Sequence, residues 1–285
     1  MDIWVIHTLN GISFGMLLFL LASGLTLIFG LMDIINLSHG GYYLLGAYIG
    51  FSVMRHTGNF LLAILVSAIS IVIIGVFMER FFLRSLHQQP LHQVLLTIGF
   101  TFVFADIALM IWGGEARFIE KPAALMAPVF IGKRGFPSYR LFVIFIGAAI
   151  AGLLWWFQEK TRAGAMVRAS VNDEEIARGL GINVPVLFTL VFGLGAFLAG
   201  ICGVLGGPFV GAYPGADFEI LLLTLIVIIV GGVGSLRGAL VGGLVIGIID
   251  NFGKVFFPEL ARFTIYAPMV IILALKPSGL FGSRS

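Results

Sequence analysis

Apolar residues in this chain come in long unbroken runs rather than in strict alternation. The runs fall at roughly 5–31, 40–54, 60–78, 91–113, 141–158, 186–208, 219–234, 238–253 and 262–275. A run of about 18 residues or more is long enough to cross a bilayer as a helix. Four of them (40–54, 219–234, 238–253 and 262–275) are short for a full crossing and read as half-helices or tilted ones. The pattern predicts an all-α polytopic membrane protein of eight to ten transmembrane or half-membrane helices, organised as one domain over residues 1–285.

Composition agrees. Of the 285 residues, 59% are hydrophobic and 11% charged, against about 25% charged in a soluble domain; so little polar surface could not cover a core this apolar. The formal charge is +3, from 17 Lys+Arg and 14 Asp+Glu. The cations stand between the apolar runs, where they report orientation and not nucleic-acid binding. The single Cys202 lies in an apolar, Gly-rich run and reads as a packing residue. Met1-Asp2-Ile3 lacks the basic region of a cleavable signal, so the first run is expected to stay as a membrane helix.

Two polar stretches interrupt the runs. Residues 114–140 carry Glu115, Arg117, Glu120, Lys121, Lys133, Arg134 and Arg140; residues 159–185 carry Lys160, Arg162, Arg168, Asp173, Glu174, Glu175 and Arg178. One crossing separates them, so they face opposite sides, and five cations against four do not orient them. The loop around Arg80 and Arg84 leans cytoplasmic, which makes 159–185 and the tail Lys276–Ser285 cytoplasmic and puts the N-terminus outside.

A spacing recurs. Ser38, Gly41, Gly46 and Gly50 form S-x2-G-x4-G-x3-G, and Ser235, Gly238, Gly243 and Gly247 repeat it 197 residues later. Either chance among 38 glycines or a duplicated unit produces this; in a duplicated transporter the solute path lies near helix breaks in the two halves. Gly195, Ala199, Gly203 and Gly207, at every fourth position, form a smooth stripe for close helix packing. Gly11 with Gly15 and Gly238 with Gly242 are similar pairs.

Asp33-Ile34-Ile35-Asn36-Leu37-Ser38-His39-Gly40-Gly41 interrupts an otherwise apolar stretch from Leu17 to Ile49. It reads as a break beside the solute path or as an interfacial turn, because polar groups at membrane depth need a cavity or partners. Its counterpart is Gly231-Gly232-Val233-Gly234-Ser235, where exposed backbone amides and carbonyls would face the path, with Arg237 at the interface. Asp106, inside an apolar run, reads as part of a solute or ion path or as a partner for a neighbouring helix. Asp250 and Asn251 read as an interfacial helix end.

In 159–185, Asn172 and Glu175 resemble a capping box, the acids at 173–175 suit a helix N-terminus, and Gly179 or Gly181 would end the helix. The short helix so defined would show Ile176, Ala177 and Leu180 outside the bilayer, as a docking knob for a partner. No G-x4-G-K-[ST] is present, since Gly253-Lys254 is followed by Val255, so coupling to ATP needs another chain. There is no H-E-x-x-H, no metal site is read, and adjacent Ser38-His39 alone do not make a nucleophile and base.

Four segments in order resemble the permease subunits of branched-chain amino acid ABC importers: Gly30-Leu31-Met32 through Ile35-Asn36-Leu37-Ser38-His39-Gly40 to Gly46-Ala47-Tyr48; Arg162-Ala163 through Ala177-Arg178-Gly179-Leu180-Gly181-Ile182-Asn183; Gly231-Gly232-Val233-Gly234-Ser235-Leu236-Arg237-Gly238; and Lys276-Pro277-Ser278-Gly279-Leu280-Phe281-Gly282. The resemblance implies a non-enzymatic subunit, multi-pass in the bacterial inner membrane, that moves branched-chain amino acids or a similar small polar solute by alternating access. It implies a second related permease, two ATP-binding subunits, a periplasmic solute-binding protein and membrane lipid as partners, no nucleic acid, and no cofactor on this chain, ATP and Mg belonging to the ATPases. Asn36, Ser38, His39, Gly40, Gly41, Gly231, Gly232, Gly234 and Ser235 would line the path. In the loop of about 159–185, Ala177 and Ile182 would enter the ATPase socket beside Gly181, with Asp173, Glu174, Glu175 and Arg178 around them. The alternative is a secondary transporter or channel using Asp33 or Asp106 for ions.

Overall fold

A computed structural model describes residues 2–32, 34–86, 89–132 and 134–282. The expectation for Asp33 lies outside these residues. Among them, the nine apolar runs are all helical: α1 (Asp2–Met32), α2 (His39–Thr57), α3 (Phe60–Met78), α4 (Pro90–Trp112), α5 (Ser138–Lys160), α8 (Val184–Gly206), α9 (Ala216–Gly231), α10 (Leu236–Phe256) and α11 (Ala261–Leu275). The polar stretch after α5 adds α6 (Arg162–Asn172) and α7 (Glu174–Gly179). Among the described residues, six helices are long and apolar enough to cross a membrane: those within Ile3–Gly30, Phe60–Leu86, Pro90–Trp112, Ser138–Lys160, Val184–Gly206 and Leu236–Phe256. The protein is therefore an all-helical, multi-pass membrane protein in its spans, while α2, α9 and α11 fall short on length or hydropathy.

One polar stretch departs from a plain loop. Within 114–140, β1 (Pro128–Ile131) and β2 (Arg134–Pro137) pair antiparallel, Pro128 opposite Pro137. Phe136 anchors the hairpin, with none of its surface exposed.

The chain divides into two compact units. One draws on three separate stretches and the other on two, so neither can be excised as one piece of sequence. One unit comprises Met1–Ala22, Lys121–Ala151 and Leu222–Ser285. Here the first part of α1 meets α10 through glycine: a Cβ on Gly11 would lie 2.7 Å from Ile248 Cα, and one on Gly15 would lie 2.9 Å from Leu244 Cα. Gly11 near 248 and Gly15 near 244 mean that the two helices run antiparallel. Trp4 stacks on Phe252 at 5.8 Å, and Arg140 Nη1 donates to Asn10 Oδ1 at 2.6 Å. Asp250 is not at a helix end: α10 runs on to Phe256, and the buried Asp250 carboxylate accepts from Lys254 Nζ at 2.7 Å.

The other unit comprises Ser23–Glu120 and Gly152–Leu221, and its centre is α2 packed with α3 and α8. Small residues set the spacing. A Cβ on Gly46 would lie 3.0 Å from Gly200 Cα, and one on Gly203 would strike Tyr43 O and Ala47 N. Ser67 of α3 donates to the carbonyls of Gly46 and Gly200 at 2.8 and 3.2 Å, tying three helices together with one hydroxyl. Tyr42, Tyr43 and Tyr48 fill the space that the glycines leave on the other sides of α2, each at most 1% exposed. Cys202 is buried within this packing.

Candidate functional site

Between α1 and α2 the backbone leaves the helix from Ile34 to Ser38, and it does so in a fully buried place: Asn36, Ser38 and His39 are each 0% exposed. Unpaired backbone groups there would be expensive, so their partners define the site. Asn36 Oδ1 accepts from Ser38 N at 3.2 Å and from Ser38 Oγ at 2.6 Å, the local side-chain turn that asparagine favours. Thr97 and Thr101, one turn apart on α4, serve the rest. Leu37 N donates to Thr97 Oγ1 at 3.2 Å, and Thr101 Oγ1 donates to Leu37 O at 3.2 Å. The backbone of the turn is held by the Asn36 side chain and by two threonines of α4.

The second layer is sulfur and aromatic. Tyr42 Oη and Ser38 Oγ both reach Met78 Sδ, at 3.3 and 3.6 Å. The His39 ring meets Tyr42 edge-on at 6.1 Å, and a Cβ on Gly24 would lie 3.1 Å from His39 Cε1. Gly40 and Gly41 have no room for a side chain: the first meets the Asp217 carbonyl, the second Phe104 Cδ2 at 2.9 Å. Thr97, Thr101 and Met78 were not singled out in the sequence, although the T-x3-T spacing on an apolar helix was visible there.

Below Met78, α3 widens into a π-helical turn, Glu79–Leu83. The Glu79 side chain, 1% exposed, pairs with Arg84 at 3.2 Å. It also accepts from Thr189 Oγ1 of α8 at 2.8 Å. Arg84 in turn donates to Thr189 Oγ1 at 2.6 Å and to Pro185 O at 3.2 Å. One residue thus faces the break and the next holds the start of α8.

The start of α8 follows the polar stretch 159–185, which holds two helices where the sequence suggested one. Asn172 ends α6; the cap of α7 is Asp173, whose Oδ1 accepts from Ile176 N at 2.9 Å. Gly181, at φ +85°, takes the left-handed conformation just after α7 that glycine tolerates. Ala177 is buried, 1% exposed, and does not face outward as expected; the exposed apolar residues are Ile176 at 62% and Leu180 at 75%. Ile182 is half-buried, Glu175 is exposed, and Arg178 pairs with Glu174 at 2.5 Å. Asp173→Ala is expected to lower the stability of α7 by about 1 kcal/mol, read as faster hydrogen exchange confined to residues 174–179.

In the other unit, Gly231 ends α9, Gly232 (φ +104°) and Gly234 (φ +76°) take left-handed conformations, and Ser235 caps α10 by accepting from Gly238 N at 3.0 Å. Gly231 and Gly238 pack backbone against backbone with no room for a Cβ on either. The carbonyls at the end of α9 are not left open: Leu280 N donates to Val230 O and Phe281 N to Gly231 O, both at 2.9 Å. The Gly-rich turn and the tail, two motifs far apart in sequence, make one structure. Asp106 lies exposed on α4 and has no ion pair among the described residues.

Among the described residues, six long apolar helices and a buried helix break define the class: a multi-pass membrane protein built around an interrupted helix, the kind of interruption tolerated only inside protein or beside water. The chain belongs to the family described as branched-chain amino acid transport system / permease component, whose model matches residues 7–273. It is 28% identical to the high-affinity branched-chain amino acid transport system permease protein BraD of Pseudomonas aeruginosa and 29% identical to LivH of Escherichia coli K12, each alignment covering 96% of this chain and 94% of the relative. Its fold is similar to that of PsaBC from Streptococcus pneumoniae solved in complex with Fab, with a TM-score of 0.52 at 14% identity over 95% of this chain and 92% of that one.

Proposed function

We propose that this chain is the membrane-spanning subunit of an ATP-driven importer of the bacterial inner membrane that moves branched-chain amino acids or a closely similar small polar solute. The observation that carries the reading is the family match across residues 7–273, nearly the whole chain. The chain spans the membrane with eight to ten full or partial crossings, its N-terminus outside and its 159–185 stretch and tail inside. The repeated S-x2-G-x4-G-x3-G spacing marks a duplication: in both copies the serine stands at the N-cap of a helix, α2 or α10, and glycines of each, Gly46 in the first and Gly243 and Gly247 in the second, admit another helix backbone. The partner helices run differently, since Gly46 meets Gly200 and Gly50 meets Val204 in parallel sense, whereas α10 meets α1 antiparallel.

The loop over residues 159–185 docks on an ATPase subunit. Its exposed Ile176 and Leu180 fill the socket, and Glu174, Glu175 and Arg178 form the polar rim. Closure of two ATPases on ATP and Mg moves the start of α8; Thr189 and Arg84 pass the motion to the π-helical turn, and Met78 passes it to Ser38 and Tyr42 at the break. Asn36, Ser38, His39, Gly40 and Gly41 belong to the solute path, with the Gly231–Ser235 turn a second flexible element. A related second permease and a periplasmic binding protein complete the assembly.

Tagged protein purified from detergent-solubilised membranes is expected to bring down a second permease and two ATPase subunits. The double variant Ile176→Ser, Leu180→Ser is expected to lose at least about ten-fold of the ATPase while keeping the second permease, as loss of a small apolar docking core does. Recovery of the chain alone, still transporting after reconstitution, overturns the reading in favour of a secondary transporter or channel.

A further inference from the structure

Two carboxylates stand in the first turn of α9, and the structure treats them differently. Glu219 accepts a hydrogen bond from Tyr213 Oη at 2.6 Å. Asp217 is 1% exposed, and no side chain donates to either of its oxygens, which face only the backbone amides around the start of α9. No ion pair reaches it among the described residues.

Its depth is fixed by its neighbour. Phe218 packs on Phe102 with ring centroids 5.5 Å apart, and Phe102 is the thirteenth residue of the 23-residue α4. The start of α9 therefore lies level with the middle of a full-length span, not at its end. Gly40 explains how it gets there: any side chain at that position would strike the Asp217 carbonyl, and its Cβ would also lie 2.9 Å from Leu221 Cβ. The glycine after His39 is the opening through which α9 reaches the helix break.

A charged carboxylate buried at membrane depth without a counter-charge is among the most expensive arrangements in a protein. The open amides of the first helical turn suit an anion there, but they do not replace a counter-charge. A cationic ligand would supply the missing counter-charge. A hard metal ion needs about six oxygen ligands, and no group of three or more His, Cys, Asp or Glu side chains that could hold a metal occurs among the described residues. An ammonium group asks for less, and the buried Leu221, one turn on from Asp217 and also at the Gly40 contact, offers an apolar surface for the rest of the molecule.

We infer that Asp217 is a solute-binding residue of the permease and takes the ammonium end of a zwitterionic amino acid with an apolar side chain. The inference rests on the permease reading above and names the group that would recognise its substrate. The solute is held at the junction of the α1–α2 break with the start of α9, the carboxylate setting its orientation. A binding protein outside selects the solute; Asp217 adds a requirement for a positive charge inside the membrane, so that a carboxylic acid of the same shape without the amine is not carried.

The test uses the complete transporter in proteoliposomes, with leucine as probe. Wild-type import of leucine establishes the permease reading; no import by wild type overturns that reading and the site with it. Given import, Asp217→Asn is expected to reduce it about ten- to a hundred-fold, the size of a lost charge-assisted hydrogen bond, while co-purification with the partners and ATPase stimulation by the loaded binding protein are unchanged. Import by Asp217→Asn at the wild-type rate overturns the inference and makes Asp217 a neutral buried acid. A wild-type measurement covers the case in which the variant does not assemble. Leucine or leucinamide enclosed in the vesicles should inhibit import from the inside, where no binding protein acts, and 4-methylpentanoate should not; equal inhibition by the amine-free acid overturns the inference.

Discussion

Gly203→Leu is expected to abolish the folded permease. A Cβ at Gly203 would lie inside the backbone of α2, against Tyr43 O and Ala47 N, and backbone cannot swing away as a side chain can. Overpacking a tight core costs about 1–3 kcal/mol, and a clash of helix with helix falls at the upper end. Helix packing in a membrane depends on such close approach, since lipid gives apolar faces no reason to associate. The same approach also carries the Ser67 hydrogen bonds to Gly46 and Gly200, so the loss extends to a third helix. Gly99→Ala is the matched control: nothing lies within 4 Å of a Cβ there, and removing a mid-helix glycine is worth up to about 1 kcal/mol in helix propensity. Size-exclusion profiles of the two variants in detergent should show aggregate for the first and a wild-type peak of equal or greater thermal stability for the second.

The second large effect is expected at Glu79. Glu79→Leu leaves Arg84 and Thr189 without their shared acceptor. Stranding a buried charge costs about 3–5 kcal/mol, but the Arg84 side chain is 39% exposed and can turn to water, so about 2 kcal/mol is expected. The functional loss should exceed the stability loss. Met78 and Glu79 are consecutive, one touching Ser38 and Tyr42 and the other holding α8, so the substitution separates the docking loop from the break. ATP hydrolysis that continues while transport falls is the expected signature; transport and hydrolysis falling together in proportion to thermal stability would reduce Glu79 to a structural role. Glu79→Gln keeps an acceptor for Thr189 and should sit between the two.

Much of the fold was readable because membrane helices advertise themselves. Each apolar run became a helix, and even the short runs at 40–54 and 219–234 have the right place and type as α2 and α9. Boundaries that depend on capping were harder. Asn172 and Asp173 are both good N-caps, and the choice of Asp173 follows from α6 running through 172, which local propensity does not reveal. The orientation of α7 is not legible in the sequence for a related reason: six residues make less than two turns, too few for a periodic pattern to show that Ala177 faces inward. The helix break was legible from its polar residues and glycines, but not its partners. Thr97 and Thr101 sit sixty and more positions away, and threonine in an apolar helix has many uses. Asp217 stands just before an apolar run, where a carboxylate looks like the edge of the membrane. The contact of the Phe218 ring with Phe102 reveals its depth.

The union of the Gly-rich turn with the tail has a bearing on synthesis. Val230 and Gly231 receive their hydrogen bonds from residues fifty positions later, Leu280 and Phe281. The break before α2 is closed much earlier in translation, by α4. At elongation rates of about 5–20 residues per second, the end of α9 spends several seconds in the insertion machinery with its last carbonyls unsatisfied. Ribosome stalling or truncation before residue 280 would then yield a chain whose first break is already sealed and whose second turn stays open, a form that quality-control proteases could recognise by that turn alone.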